Sequence, residues 1–263
     1  MSQVEILYPY SSVAIAIALF FSMLLFNEIG FQLGRFVQKH TDNEVKTLTG
    51  SIQASVLGLL ALMLGFTFSM SMQRYDGRSM ALIEEANAIG TTLLRVRLLP
   101  QEYQGDASEL IKKYIEQRVA MGKIALSHQA QRSEYNQHLS SLQDQLWTLA
   151  VNATNEDPRA VTTGAFVQSL NALIDTKGKR NALQEMHVPE TVLFLLFIVF
   201  IASGGIMGYS GGLSGKRVIA PVVLVSLLVT LIVFIIIDLD RPKRGLIQVN
   251  QSPLLELQQS MLK

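Results

Sequence analysis

Four long segments with almost no charge constrain this chain more than any other feature. Thr47–Met72 and Thr191–Gly215 contain no charged residue, and Val218–Ile237 is a run of 20 mainly Val, Ile, Leu and Phe residues. An earlier uncharged stretch, Val13–Phe26, reaches a similar length when its apolar flanks are included. Because about 20 apolar residues in a helix cross roughly 30 Å of hydrocarbon, each segment is long enough to span a bilayer. The sequence therefore predicts a polytopic membrane protein with four transmembrane helices.

The first segment has the features of a retained helix. A secretory signal peptide would begin with basic residues and end at a small-residue cleavage site. Residues 1–12 contain no Lys or Arg, and Asn27 and Glu28 follow the apolar run. We therefore expect this segment to remain in the protein as a transmembrane helix.

Composition excludes several functional classes. The 22 basic and 21 acidic residues give a net charge of +1, whereas a nucleic-acid partner requires a basic face. The chain contains no cysteine, which excludes disulfide scaffolds, thiol nucleophiles and cysteine-ligated metals. Its four histidines are scattered through polar segments. We expect no nucleic-acid partner, no metal and no cofactor.

The polar stretch between the second and third spans has a helical pattern. Pro100 and Pro158 separate runs of apolar residues spaced three or four apart, and strand patterns are absent. These runs are Leu82, Ala86, Ile89, Leu93 and Val96; Ile111, Ile115, Val119, Gly122 and Leu126; Leu139, Leu142, Leu146, Leu149 and Ala153; and Phe166, Leu170 and Leu173. The pattern predicts an all-α protein with a helical domain at 73–188, spans at 1–72 and 189–237, and a tail at 238–263.

Two further helix features follow from this stretch. No proline occurs from Leu48 to Leu99, so the second span is predicted to continue into the first helix of the domain. About 50 residues would give a rod of roughly 75 Å. Asp106, with Glu109 three residues later, is predicted to cap the start of the next helix.

Basic residues near the spans predict the topology. Four spans place both termini and the helical domain on one side, where eight basic residues lie near the membrane, against five on the other side. The eight are Arg74, Arg78, Lys177, Lys179, Arg180, Arg241, Lys243 and Arg244, and the five are Arg35, Lys39, Lys46, Lys216 and Arg217. This excess favours a multi-pass protein of the cell inner membrane with a cytoplasmic domain and cytoplasmic termini.

One face of the second span consists mainly of small residues. Ser51, Ser55, Gly58, Leu62, Gly65 and Ser69 recur at intervals of 4, 3, 4, 3 and 4. Small residues allow helices to pack closely, which is one interpretation. A stripe of hydroxyls and apolar constrictions facing a water-filled axis is the other. Spacing leaves both open and favours packing.

Motifs at the end of this span are similar to those of a known family. Leu64-Gly65-Phe66 is followed by an Arg-aromatic pair at Arg74-Tyr75 and by Asn87. At these separations the chain resembles bestrophins, a family of ion channels, and it is still more similar to bacterial bestrophin-like proteins. The second group shares Arg74–Arg78, Glu84–Gly90 and a tail such as Ile237–Val249.

The resemblance implies an oligomer around a central axis, with five subunits favoured and the second span lining the axis. It implies a pore neck at Gly58, Leu62 and Phe66. Further residues of the second span would line the pore, and charged residues after the span would form its inner mouth. The implied lining positions are Ser51, Ser55, Ser69 and Gln73, and the implied inner-mouth charges are Arg74, Asp76 and Arg78. The implied partners are identical subunits, membrane lipid and inorganic ions.

The chain departs from the family at two places. Gly58 cannot form a bulky ring, so Leu62 and Phe66 would form the neck alone. Asp238 and Asp240 are only two carboxylates and lie beside Arg241, whereas calcium takes six to eight oxygen ligands. We therefore expect a salt-bridged collar there and no calcium site.

Charges after the second span also allow two interpretations. Arg74, Asp76 and Arg78 would either anchor the helix at the interface or form a charged ring at the inner mouth, and the two readings have equal weight. Of Glu84 and Glu85, we expect at least one to pair with a neighbouring arginine.

The residues favour transport over catalysis. The run Gly208–Gly212 matches the G-x-S-x-G string of hydrolases, but it ends a membrane segment and is interpreted as a flexible glycine turn. We therefore predict a channel of bestrophin type that weakly favours anions, and no enzyme. A non-conducting scaffold or sensor that binds a protein partner through the helical domain is the alternative.

Overall fold

The part of the chain that the computed structural model describes comprises Leu7, Tyr10–Ile124, His128–Arg241 and Gly245–Met261, without the side chain of Gln129. Within it there are eight α-helices and no strand. The helices are α1 (Ser12–Val37), α2 (Asn43–Arg95), α3 (Gln101–Lys123), α4 (Gln129–Glu156), α5 (Thr163–Glu185), α6 (Glu190–Ser214), α7 (Ile219–Asp240) and α8 (Ser252–Ser260). Leu126, Lys243 and Arg244, which entered the sequence argument, lie outside the described residues.

Four of these helices are long and apolar enough to cross a membrane, namely α1, α2, α6 and α7. They contain the four segments predicted from the sequence, except for one terminal residue of each of the last two, so the prediction of an all-α polytopic membrane protein is confirmed. Helix α2 has 53 residues and continues from its apolar half into the polar stretch without a break, as the absence of proline predicted. Its length is about 80 Å.

The described residues divide into two compact units. The membrane unit contains the residues up to Arg74, together with His187–Arg241 and Gly245–Ile247. The helical unit contains Tyr75–Met186 and the tail from Gln248 onward. Helix α2 contributes its first part to the membrane unit and its second part to the helical unit.

Close packing of α1 against α6 organises the membrane unit. A Cβ atom added to Gly208 would lie 1.8 Å from the Asn27 carbonyl oxygen, and one added to Gly30 would lie 2.0 Å from that of Gly205. Only glycine allows two backbones to approach so closely. The interpretation of Gly208–Gly212 as a turn was therefore wrong, because these residues lie inside α6 and pack against α1.

The helical unit is built on the apolar stripes of its four helices. Among the described residues, every stripe contributes to one core, which α8 of the tail joins through Leu254. The fully buried members include Ile89, Ile111, Leu139, Leu146, Phe166, Leu170 and Leu173. Asp106 is not a cap, because α3 already begins at Gln101, directly after Pro100. A proline can stand before the first turn because the first helical N–H groups need no intrahelical acceptor.

Candidate functional site

The candidate site is one face of α2 within the membrane unit. We call Ser51, Ser55, Gly58, Leu62, Phe66, Ser69 and Gln73 the α2 stripe. With 3.6 residues per turn, these seven positions fall within an arc of about 80° on the helix. The helix is continuous through all of them, so they form one line along its surface.

Within the part of the chain that the structure describes, nothing covers the α2 stripe. All seven residues are exposed, including Leu62 at 55% and Phe66 at 64%. A Cβ atom added to Gly58 would meet nothing within 4 Å. The opposite side of the helix, about 180° away, holds Leu60 and Leu64, which are buried in the core of the membrane unit. Helix α2 thus attaches to its unit by one side and presents the stripe outward.

Polar groups of the α2 stripe are only partly satisfied by the chain. Ser55 donates its hydroxyl to the Ser51 carbonyl at 3.0 Å, and the Ser51 hydroxyl donates to the Thr47 carbonyl at 3.2 Å. The Gln73 amide lies 3.4 Å from the Ser69 hydroxyl. These bonds leave hydroxyl lone pairs and an amide that water can bind and hydrocarbon cannot. A face with this chemistry is suited to water at both ends and to apolar contact at Leu62 and Phe66.

The charges that follow the α2 stripe differ in their surroundings. Arg74 is half-buried and Asp76 is exposed, whereas Arg78 is buried within the helical unit. The Arg78 guanidinium donates to the carbonyls of Leu183 and Met186, at 3.1 Å and 2.5 Å. These carbonyls lie at the C-terminal end of α5, where free carbonyls attract a cation. Arg78 therefore caps α5, a role that the spacing of charges in the sequence does not reveal.

Glu84 and Glu85 follow on the same helix but have different partners. Glu84 is partly exposed and pairs with Lys179 at 2.6 Å. Glu85 is fully buried and pairs with both Arg118 and Arg180, each at 2.6 Å. Glu85 thus pairs with arginine, but its partners come from α3 and α5 and are not the neighbouring arginine that we expected.

The two tail acids bind protein donors. The Asp238 carboxylate accepts hydrogen bonds from the Ser12 hydroxyl at 2.9 Å and from the Ile247 N–H at 2.8 Å. The Asp240 carboxylate accepts the Val188 N–H at 3.0 Å. Arg241, which we expected in a salt-bridged collar, donates to the carbonyls of Leu7 and Tyr10. These bonds join the start of α1, the residue Val188 ahead of α6, and Ile247 to the C-terminal end of α7.

Comparison with solved structures gives the same fold. Crystal structures of three single-residue variants of a bacterial bestrophin homologue from Klebsiella pneumoniae match this chain. The first has a TM-score of 0.61 at 15% identity, covering 94% of this chain and 97% of the homologue. The second has a TM-score of 0.59 at 17% identity, covering 96% of both chains, and the third 0.57 at 15%, covering 91% and 96%. At this identity the likeness shows the fold alone.

One family model matches most of the sequence. No curated protein matches the chain significantly. The model described as the bestrophin-like domain matches residues 20–254, a range that includes α2 and nearly all of the membrane and helical units. The family model and the shared fold agree with the resemblance carried by Phe66, Arg74 and Asn87. The chain belongs to the bestrophin-like family.

Proposed function

We propose that the protein is an ion channel of bestrophin type, in which several copies surround an axis lined by the α2 stripe. The observation that carries the proposal is the uncovered stripe, which combines four polar residues with two large apolar ones along a membrane-spanning helix. In hydrocarbon, the hydroxyl lone pairs and amide groups of Ser51, Ser55, Ser69 and Gln73 that are not bonded within the helix would lack partners. Around a water-filled axis, the same groups are hydrated.

The apolar part of the stripe forms the proposed neck. Leu62 and Phe66 are one helical turn apart, so each would contribute one ring to the axis in a symmetric assembly. Rings of large apolar side chains restrict a pore by excluding water. Gly58 adds no side chain to this constriction, and the neck is therefore two rings deep. No bond is made or broken in this function.

The mouth residues do not select one sign of ion. The weak preference for anions in the sequence argument depended on Arg74 and Arg78. Since the Arg78 guanidinium is bound to carbonyls of the helical unit, Arg74 and Asp76 are left at the mouth with opposite charges. We therefore propose a conducting path and assign neither chloride nor any other ion to it. The reversal potential of the current under a salt gradient measures the ion selectivity.

The remaining parts of the proposal concern assembly and topology. We place the helical domain (73–188), the tail (238–263) and both termini in the cytoplasm, and the spans of 1–72 and 189–237 in the inner membrane. This orientation follows the excess of basic residues on that side. A homopentamer is the favoured assembly, with lipid around it and inorganic ions in its axis.

Replacing Phe66 by alanine tests the neck. Shortening this side chain widens one apolar ring, so purified Phe66→Ala protein in planar bilayers should carry a current several-fold larger than the parent. Phe68→Ala is the matched control, since Phe68 is an exposed aromatic residue on the other side of the same helix. An unchanged current in Phe66→Ala, or an equal increase in Phe68→Ala, would contradict the proposed neck.

A labelling experiment tests whether residue 66 contacts water. The chain has no cysteine, so a single introduced thiol can be labelled without background. We expect Phe66→Cys in membranes to react with a charged, membrane-impermeant thiol reagent, and Phe68→Cys to remain unreactive. If both thiols are inert in folded protein, the stripe is a packing surface, and the non-conducting scaffold is favoured instead.

A further inference from the structure

The membrane unit contains a large groove away from the α2 stripe. Its volume is about 630 Å³, which lies within the range of small-molecule sites. Residues of α1, α6 and α7 line it, and Gln53 contributes from α2. Gln53 lies about 180° around α2 from the middle of the stripe, so the groove is separate from the proposed pore face.

One end of the groove carries charge. Lys216 and Arg217 line it, in the short connection between α6 and α7, together with Glu28 of α1. The Arg217 guanidinium binds both carboxylate oxygens of Glu28, at 2.5 Å and 2.7 Å. It also lies 4.9 Å from the centre of the Phe31 ring, which fixes its position. Two cations and one carboxylate leave a net charge of +1 at this end.

The other end of the groove is apolar and extends into the membrane. From Ile219 to Val225 along α7, the wall descends six residues, or about 9 Å. From Phe31 to Leu24 along α1, it descends seven residues, or about 10 Å. Because α6 and α7 both span the membrane, their short connection lies at its surface. The groove thus has a cationic end at the membrane surface and an apolar wall within the hydrocarbon.

We infer that this groove binds an anionic phospholipid, with its phosphate at Lys216 and Arg217 and an acyl chain along α1 and α7. A phosphodiester carries one negative charge, which matches the net charge of +1 at the mouth. The N-terminal end of α7, at Ile219, adds further positive potential at the same place. The apolar wall contacts an acyl chain of the same lipid.

Lipid binding by purified protein tests this inference without measuring currents, so its outcome is independent of the proposed channel activity. Native mass spectrometry in detergent, with phosphatidylglycerol and phosphatidylcholine as probes, should show preferential retention of phosphatidylglycerol. Lys216→Gln should lower that retention several-fold. Lys46→Gln is the matched control, since Lys46 lies in the first turn of α2, at the end of α2 that we place on the same side of the membrane, and does not line the groove. Equal retention of the two lipids, or an equal loss in both variants, would overturn the inference.

A bulky side chain in the apolar part of the groove tests whether the groove binds an acyl chain. Val222→Trp should reduce phosphatidylglycerol retention, whereas Leu228→Trp, at an exposed position of α7 outside the groove, should not. Full displacement of the lipid by millimolar inorganic phosphate would show a site for a free anion and overturn the lipid assignment. Absence of lipid retention in the parent, with Val222→Trp altering the mass of the oligomer, would show that a second copy fills the groove and would also overturn it.

Discussion

Glu85→Gln should destabilise the helical unit by about 3–5 kcal/mol, because it removes the carboxylate between two buried arginines. Glu85 is fully buried, and Arg118 and Arg180 are each 3% exposed. A guanidinium cannot release its proton, so both positive charges would remain in the core. Water cannot reach them there without opening the helical bundle.

The surrounding groups cannot replace the lost charge. Tyr114 is fully buried near the cluster, and this burial raises the pKa of its phenol above the ordinary value. Its hydroxyl therefore stays neutral at physiological pH. The Gln251 side chain accepts a hydrogen bond from Arg180 at 2.9 Å, but an amide carries no net charge. Glu85 is the carboxylate that both guanidinium groups contact.

Glu84→Gln is the matched control for this prediction. Glu84 precedes Glu85 on the same helix, and its ion pair with Lys179 is solvent-accessible, so its loss should cost between 0 and about 1 kcal/mol. The chain has a single tryptophan, Trp147, and it lies in α4 of the helical unit. Denaturant unfolding followed by Trp147 fluorescence therefore reports on this unit. Equal midpoints for the two variants would contradict the prediction.

A triple variant separates charge from shape. Replacing Glu85, Arg118 and Arg180 together by methionine removes the buried carboxylate and both buried cations. Buried ion clusters replaced by apolar residues often retain or gain stability. We therefore expect the triple variant to be more stable than Glu85→Gln. A triple variant as unstable as Glu85→Gln would show that the side-chain shapes matter and the charge balance does not.

The sequence predicted the features that depend on local periodicity. The four spans, the long α2 helix and the buried stripes of the helical unit all follow from the spacing of apolar residues within one helix. Regular spacing also identified five positions of the α2 stripe, whereas Phe66 and Gln73 were added by the family resemblance. Whether its exposed face lines a wet axis depends on contacts between copies, and spacing within one chain does not encode those contacts.

The features that the sequence did not predict join residues far apart in the chain. Glu85 is 33 residues from Arg118 and 95 from Arg180, and Glu28 is 189 residues from Arg217. No local pattern relates such partners, because the fold alone brings them together. The glycines of α6 were misread for the same reason. A run of glycines is typical of turns, and only the approach of α1 explains why Gly208 lies inside a helix.

Gly208→Leu should prevent the membrane unit from folding, since there is no space for a side chain at this contact. Even a single Cβ atom would lie 1.8 Å from the Asn27 carbonyl oxygen and 2.9 Å from the Phe31 nitrogen. Both atoms belong to the backbone of α1, so no rotamer change can relieve the overlap. Helices α1 and α6 would have to separate.

Separation would remove more than one contact. Gly30 and Gly212 also make close backbone approaches along the same pair of helices, and the Asn27 amide donates to the Gly204 carbonyl at 3.1 Å. Within a bilayer, lipid tails solvate apolar side chains as well as other helices do, so packing and interhelical hydrogen bonds hold helices together. All of these would be weakened at once. Gly208→Ala should show a milder form of the same defect, costing about 3 kcal/mol or more, because overpacking is relieved only by moving the backbone.

Gly50→Ala is the control, because a Cβ atom added at Gly50 in α2 meets nothing within 4 Å. It makes the same chemical change within another membrane-spanning helix. We expect Gly50→Ala to elute from a sizing column in detergent as the parent does and to have the same thermal midpoint. Gly208→Ala should have a lower midpoint, and Gly208→Leu should aggregate. A Gly208→Leu protein that is monodisperse and as stable as the parent would show that α1 and α6 do not pack through these glycines, because no side chain fits between backbones at that distance.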